Sequence, residues 1–181
     1  MTHLPIWYLG KISPDECDEA SNEFIKIHAK DAKMGSNGDV LDHLFRNTTV
    51  RFAEKNHWFG SRLFDFGNIA NNECKWDYQV DDFECIQYAE YGIGQKYDWH
   101  VDNFPISGNP KDRKITIVCM MSNEEDYEGG ELKLRLYKEY TPEMKKGSVI
   151  AFPSIIEHKV TPVTRGIRYT STMWISGQRF R

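Results

Sequence analysis

The stretch Lys96-Tyr97-Asp98-Trp99-His100-Val101-Asp102 decides how this chain is read. Its aromatic and β-branched content marks a strand. Alternation along a strand turns His100 and Asp102 to one face and Val101 to the other. Further runs of strand character surround it, at 75–80, 83–91, 114–122, 131–137, 148–152, 158–162 and 167–175. Each ends near Gly, Pro, Asn or Asp. Many short strands punctuated in this way predict a sandwich or open barrel, not a parallel βαβ sheet.

The part before residue 75 reads differently. Ser13-Pro14-Asp15-Glu16 fits a capping box with proline at the first helical position. Cys17, Ala20, Phe24 and Ile27 then recur at helical spacing, and Gly35 offers a stop. A short extended piece is expected at 48–53. A second helix is expected from about His57 to Asn72, with Trp58, Leu63, Phe66, Ile69 and Ala70 toward the core. The chain shows no repeat, low-complexity tract or linker. It therefore reads as one domain over residues 1–181, with helical support at about 1–74 and a β core at about 75–177.

Composition narrows the class. A chain of 181 residues with 40% hydrophobic content can bury a sizeable core. The net charge of −4 argues against nucleic acid as a partner, and Lys145-Lys146 reads as a solvated turn. Cys17, Cys74, Cys85 and Cys119 form no C-x-x-C pair, as expected of reduced, mostly buried thiols. The N-terminal MTHLPIWYLGKISPDE carries no apolar run long enough for a signal peptide, and no stretch approaches a membrane span. The expectation is a soluble, cytoplasmic protein with no membrane partner.

His100-x-Asp102 is common by chance, and a lone histidine such as His158 usually reads as structural. Their joint occurrence on predicted strands, followed by Arg168, is more informative. Two imidazoles and one carboxylate can occupy one face of a divalent metal and leave three positions open, which suits oxygen chemistry at iron. The set also suits Mn(II) or Co(II), and zinc binds similar groups, so ligand types alone do not name the metal. A planar guanidinium after the last histidine suggests a co-substrate carboxylate beside the metal. His3, His28, His43 and His57 have no comparable setting and read as surface or structural residues.

The chain resembles the 2-oxoglutarate- and Fe(II)-dependent dioxygenases of the prolyl 4-hydroxylase type, and is similar to the bacterial PKHD-type hydroxylases. The resemblance is carried by YGIGQKYDWHVDN (91–103), EGGEL (128–132), KGSVIAFP (146–153) and HKVTPVTRGIRYT (158–170). It covers about half the chain, roughly 83–175. It implies a mainly β fold with supporting α-helices, a double-stranded β-helix or jelly-roll barrel. It implies that His100, Asp102 and His158 bind Fe(II) and that Arg168 pairs with the distal carboxylate of 2-oxoglutarate. Thr170, on the same strand face, would donate to that carboxylate. Tyr91, Tyr97 and Trp174 would line the pocket, though each is also readable as a core aromatic. Arg165 competes as a carboxylate partner, but its odd offset from Arg168 points it to the other face. Gly129-Gly130 reads as a tight turn. Gly92-x-Gly94 is no dinucleotide fingerprint, since the third glycine and the helix are missing. Several relatives carry a co-substrate tyrosine on the third barrel strand. Here that stretch reads Cys119-Met120-Met121, which leaves more of the anchoring to Arg168 and Thr170.

The activity so implied consumes O2 and 2-oxoglutarate, releases succinate and CO2, and hydroxylates an unactivated C–H bond, with ascorbate as an accessory reductant. A peptidyl proline is the leading substrate, in a cytosolic peptide or protein rather than in collagen-type processing. The segment 103–114 and the turn 92–96 are candidates for the substrate entrance. The alternatives are hydroxylation of a free amino acid or small metabolite on the same scaffold, and a non-catalytic metal-binding β-barrel.

Overall fold

A computed structural model describes residues 5–32, 42–103 and 110–179. In chain order its elements are β1 (Tyr8–Lys11), α1 (Pro14–Phe24), β2 (Lys30–Asp31), β3 (Arg46–Asn47), β4 (Thr49–Phe52), α2 (Trp58–Glu73), β5 (Asp82–Phe83), β6 (Gln87–Tyr91), β7 (Lys96–His100) and β8 (Lys111–Met120). There follow β9 (Tyr127–Gly129), β10 (Leu132–Arg135), β11 (Glu139–Tyr140), β12 (Ser148–Pro153), β13 (Glu157–Val160), β14 (Val163–Gly166) and β15 (Arg168–Gln178). A large sheet runs β1-β12-β8-β15-β6-β4-β2, with β5 added beside β15. A smaller sheet runs β11-β10-β13-β7-β3, and β14 pairs with β9. Every named strand pair is antiparallel. The fold is mainly β with two helices, as expected of a jelly roll.

Strand alternation builds two interiors. On β8, Ile115, Ile117 and Cys119 face the helices, together with Met173 and Ile175 of β15. The intervening Thr116 and Val118, with Thr170, Thr172 and Trp174, face the barrel. Both faces of these strands are covered, so their sequences read as nearly continuous buried runs. The helix-side cluster also takes Cys17, Ala20 and Phe24 from α1 and Phe59, Leu63, Phe66 and Ala70 from α2. Gly67 is what lets α2 lie so close: a Cβ there would meet Ile175 Cδ1 at 2.3 Å and Ile117 Cδ1 at 2.7 Å.

The capping box forms as read: Ser13 Oγ accepts from Glu16 N–H at 3.2 Å, and Glu16 Oε2 accepts from Ser13 N–H at 3.2 Å. Several expectations need correction. α1 ends at Phe24 with Ile25 as its cap, so Ile27 packs from outside the helix; Gly35 lies outside the described residues. Ile69 is 52% exposed, because the buried face of α2 follows Phe59, Leu63, Phe66 and Ala70 and leaves it on the flank. No strand forms at 75–80, where left-handed backbone at Lys75 (φ 55°) and Asp77 (φ 56°) interrupts extension after the helix. The run 83–91 is broken into β5 and β6. The N-terminal part is more than helical support, since β1 pairs with β12 and β3 with β7.

Among the four cysteines, all free, Cys85 is the exposed one. His57 caps α2, its Nδ1 accepting from Phe59 N–H at 3.2 Å; His28 and His43 are exposed, and His3 lies outside the described residues. Lys146 pairs with Asp18 at 2.5 Å. Among the described residues no helix is long and apolar enough to cross a membrane.

Candidate metal centre

His100 closes β7, His158 sits on β13, and the two are directly opposed across the smaller sheet. Between this pair and the next, Val160 opposite Tyr97, one residue on β13 (Lys159) faces two on β7 (Asp98 and Trp99). Such a bulge turns the strand. It brings Tyr97 and His100 to the same cavity despite their odd spacing, with rings stacked at 3.5 Å and 13°. Asp102 does not lie on the strand, which ends at His100. The N–H groups of Asp102 and Asn103 both donate to Ser154 O at 3.0 Å, and this loop contact aims the carboxylate. His100, Asp102 and His158 thereby each offer a ligating atom within 4.8 Å of one another.

The tautomers are set by carbonyl groups. His100 Nδ1 donates to Asp98 O at 2.7 Å and His158 Nδ1 donates to Ile156 O at 3.0 Å. Each Nε2 is left to face the carboxylate, at 3.6 Å from Asp102 Oδ1 for His100 and 3.3 Å from Oδ2 for His158. Two ligating atoms at right angles, each about 2.1 Å from a cation, would stand about 3 Å apart, so each imidazole lies close to the spacing from the carboxylate that a shared metal would need. Burial opposes charge on Asp102, yet His158 and His100 outweigh it and hold the carboxyl well below the usual range. Burial, with His158 beside it, lowers His100 to about 3, so its imidazole is neutral as a metal ligand must be. Burial also opposes charge on His158, but Asp102 more than compensates and raises it.

The triad lines a cavity of about 1050 Å³ together with Tyr91, Tyr97, Arg168, Thr170 and Trp174. Arg168 is 1% exposed, stands opposite Tyr91 in the sheet, and has its guanidinium 5.3 Å from that ring's centre. Burial lowers its pKa, while Tyr91 and Tyr127 nearby favour its charge; none of its three nitrogens makes a hydrogen bond of good geometry. A buried cation so placed suits a bidentate anion. Trp174 carries the Arg113 guanidinium on its face at 3.9 Å. Arg165 pairs with Glu128 at 2.8 Å on the exposed side of β14. The 92–96 turn is tied to β14 through Gly94 N–H to Val163 O at 2.8 Å, and of 103–114 the part 104–109 lies outside the described residues.

Some residues of the site carry no signal in the sequence. Thr116 Oγ1 donates to Asp102 Oδ2 at 2.7 Å and lies 3.0 Å from Ser154 Oγ. Phe152 packs edge-on to His158 at 4.8 Å. Gly130, read as a turn glycine, also gives room to the anchor: a Cβ there would meet Arg168 Cδ at 2.6 Å. Arg113 and Glu84 form a bidentate pair at 2.6 Å on the cavity wall.

A two-histidine, one-carboxylate cluster at the mouth of a jelly-roll barrel, beside a buried arginine, defines a non-haem metal oxygenase site in class. Residues 86–176 match the 2OG-Fe(II) oxygenase superfamily, and the chain belongs to it. Fe(II) and 2-oxoglutarate are the metal and co-substrate of that family. The chain is 43% identical over 84 residues to a PKHD-type hydroxylase of Synechococcus sp. (strain CC9605), a match covering 45% of this chain and 37% of that one. The match thus spans well under half the length of that curated relative. The fold is similar to a Pseudomonas putida prolyl-4-hydroxylase (TM-score 0.70, 19% identity, covering 97% of this chain and 94% of that one). It is also similar to the viral collagen prolyl hydroxylase from Paramecium Bursaria Chlorella virus-1 in its 2OG complex (TM-score 0.71, 21% identity, 96% and 97% covered).

Proposed function

We propose that the chain is a dioxygenase that uses Fe(II) and 2-oxoglutarate to hydroxylate an unactivated C–H bond in a proline-containing peptide or protein. One observation carries the reading. A largely buried metal-ligand triad and a fully enclosed guanidinium that makes no hydrogen bond of good geometry line the same cavity. A barrel that only bound metal would have no use for the second feature.

His100, Asp102 and His158 hold the metal through two Nε2 atoms and a carboxylate oxygen. Asp98 O, Ile156 O and Thr116 keep those ligands oriented. Arg168 and Thr170 take the distal carboxylate of 2-oxoglutarate, and Tyr91 walls that end. Tyr97 and Phe152 pack against the two imidazoles and hold their rings in place. When bound, iron and 2-oxoglutarate supply the oxidising chemistry, in which one oxygen atom of O2 enters the substrate and the other enters succinate as CO2 leaves.

A cavity of about 1050 Å³ is at the upper end of the roughly 300–1,000 Å³ usual for small-molecule sites, which supports a peptide over a free amino acid. The structural neighbours include prolyl hydroxylases, which supports proline as the target. The N-terminal strands pair into both the large and the smaller sheet, which supports the chain acting as one domain.

The test uses the purified chain with Fe(II), 2-oxoglutarate and ascorbate, offered proline-containing peptides and a metabolite extract. The expected result is succinate release coupled to a peptide product heavier by one oxygen atom, both lost in Asp102→Ala. A product only in the metabolite fraction transfers the substrate to a small molecule. Full turnover in Asp102→Ala removes the triad from the mechanism.

A further inference from the structure

Next to Arg168 lies a second, smaller cavity of about 290 Å³, lined by Met120, Tyr127, Gly130 and Leu132 among others. Leu132 also lines the main cavity and so stands between the two. Tyr127 has its backbone opposite Gly166, in the β9–β14 pair. Its hydroxyl reaches Met120 Sδ at 3.6 Å. Met120 in turn stands directly opposite Thr170, in the β8–β15 pair. Opposed residues of an antiparallel pair share a face, so Met120, Thr170 and, by alternation, Arg168 lie on the same side. The phenol therefore runs from the level of residue 166 to that of residue 170, past Arg168.

Hydrogen-bond chemistry is unbalanced at this point. A thioether is a weak acceptor, so the Tyr127 O–H has no strong partner. The Arg168 guanidinium has the Tyr127 hydroxyl beside it but makes no hydrogen bond of good geometry. A buried carboxylate offers about four acceptor positions, more than Arg168 and Thr170 fill. The strand that lacks the expected tyrosine carries Met120 instead, and Tyr127 brings a phenol to that same place from β9.

We propose that Tyr127 is a third member of the co-substrate anchor, its hydroxyl turning from Met120 to bridge Arg168 and the distal carboxylate of 2-oxoglutarate. This rests on the dioxygenase reading above. A phenol can accept an N–H from the guanidinium and donate its O–H to the carboxylate in one arrangement. Gly130 completes the seat, since its missing Cβ leaves room for the Arg168 stem.

Calorimetric titration of 2-oxoglutarate into the Mn(II)-loaded chain reads binding without turnover. Tyr127→Phe is expected to raise Kd about tenfold, the loss of one hydrogen bond to a charged group. Met120→Leu removes the sulfur but keeps the phenol, and is expected to leave Kd within about twofold. Binding that Arg168→Lys loses and Tyr127→Phe keeps overturns this inference alone. No binding by the parent chain overturns the dioxygenase reading and this inference with it. Should Tyr127→Phe not fold, a crystal structure of the parent chain with Mn(II) and 2-oxoglutarate decides. Tyr127 Oη within hydrogen-bond distance of the carboxylate supports the inference, and Oη out of its reach overturns it.

Discussion

Replacing Thr116 by valine keeps the shape of the side chain and removes one donor. Thr116 Oγ1 gives its proton to Asp102 Oδ2 at 2.7 Å, and Thr116 is fully enclosed. Asp102 is 5% exposed, so water cannot readily replace the lost contact. A hydrogen bond to a charged group is worth about 1.5–3 kcal/mol, and the metal-free protein should lose about that much unfolding free energy. A second effect concerns affinity. The same bond fixes the carboxylate plane, with Oδ1 toward His100 and Oδ2 toward His158. Loss of such an orienting partner is expected to weaken metal binding by about 10–100-fold. Urea denaturation in chelator measures the first effect. Titration of Mn(II), with the free ion followed by electron paramagnetic resonance, measures the second. Thr116→Ser keeps the hydroxyl and should behave like the parent. If Thr116→Val changes stability by less than about 0.5 kcal/mol and Mn(II) affinity by less than about threefold, Thr116 does not orient the ligand.

Two further outcomes follow from the same geometry. Gly130→Ala places a Cβ 2.6 Å from Arg168 Cδ at a residue with φ of 62°. The left-handed backbone alone costs roughly 1–2 kcal/mol, and displacing the arginine should weaken 2-oxoglutarate binding while Mn(II) binding persists. An unchanged co-substrate Kd in calorimetry would show that Arg168 is not seated against this glycine. Asp82 is held at about 2, chiefly by its bond to Lys55 and further by the Phe83 N–H and Lys111, below the ordinary 3.8. A carboxyl lowered on folding contributes stability above its unfolded pKa and loses it as pH falls toward the folded one. Urea midpoints should therefore fall between about pH 4 and pH 2, less steeply in Asp82→Asn. Equal slopes for the two proteins would show that this pair contributes nothing.

How much of the site was legible follows from where its causes lie. The ligand types, their order and the distance from His158 to Arg168 stand in the chain itself, and so does the alternation that puts Arg168 and Thr170 on one face. The capping box at Ser13 and the extent of α2 are local effects and were readable for that reason. The strand expected at 75–80 is absent because the left-handed backbone of Lys75 and Asp77 follows from how α2 ends, which strand propensity does not record. The H-x-D alternation predicts Asp102 on the strand; its aim comes instead from Ser154, which is far along the chain.

The sequence by itself determined the chemistry available: two imidazoles, one carboxylate and one guanidinium on a β-rich scaffold. Only the tertiary structure decided which other groups serve them. The bulge that stacks Tyr97 on His100 is a matter of register between β7 and β13. The Thr116–Asp102 bond, the room that Gly130 leaves for Arg168 and the reach of Tyr127 to Met120 are contacts between separate elements. Hydrogen-bond pairing and close packing act between neighbours in space, and a linear pattern records only neighbours along the chain.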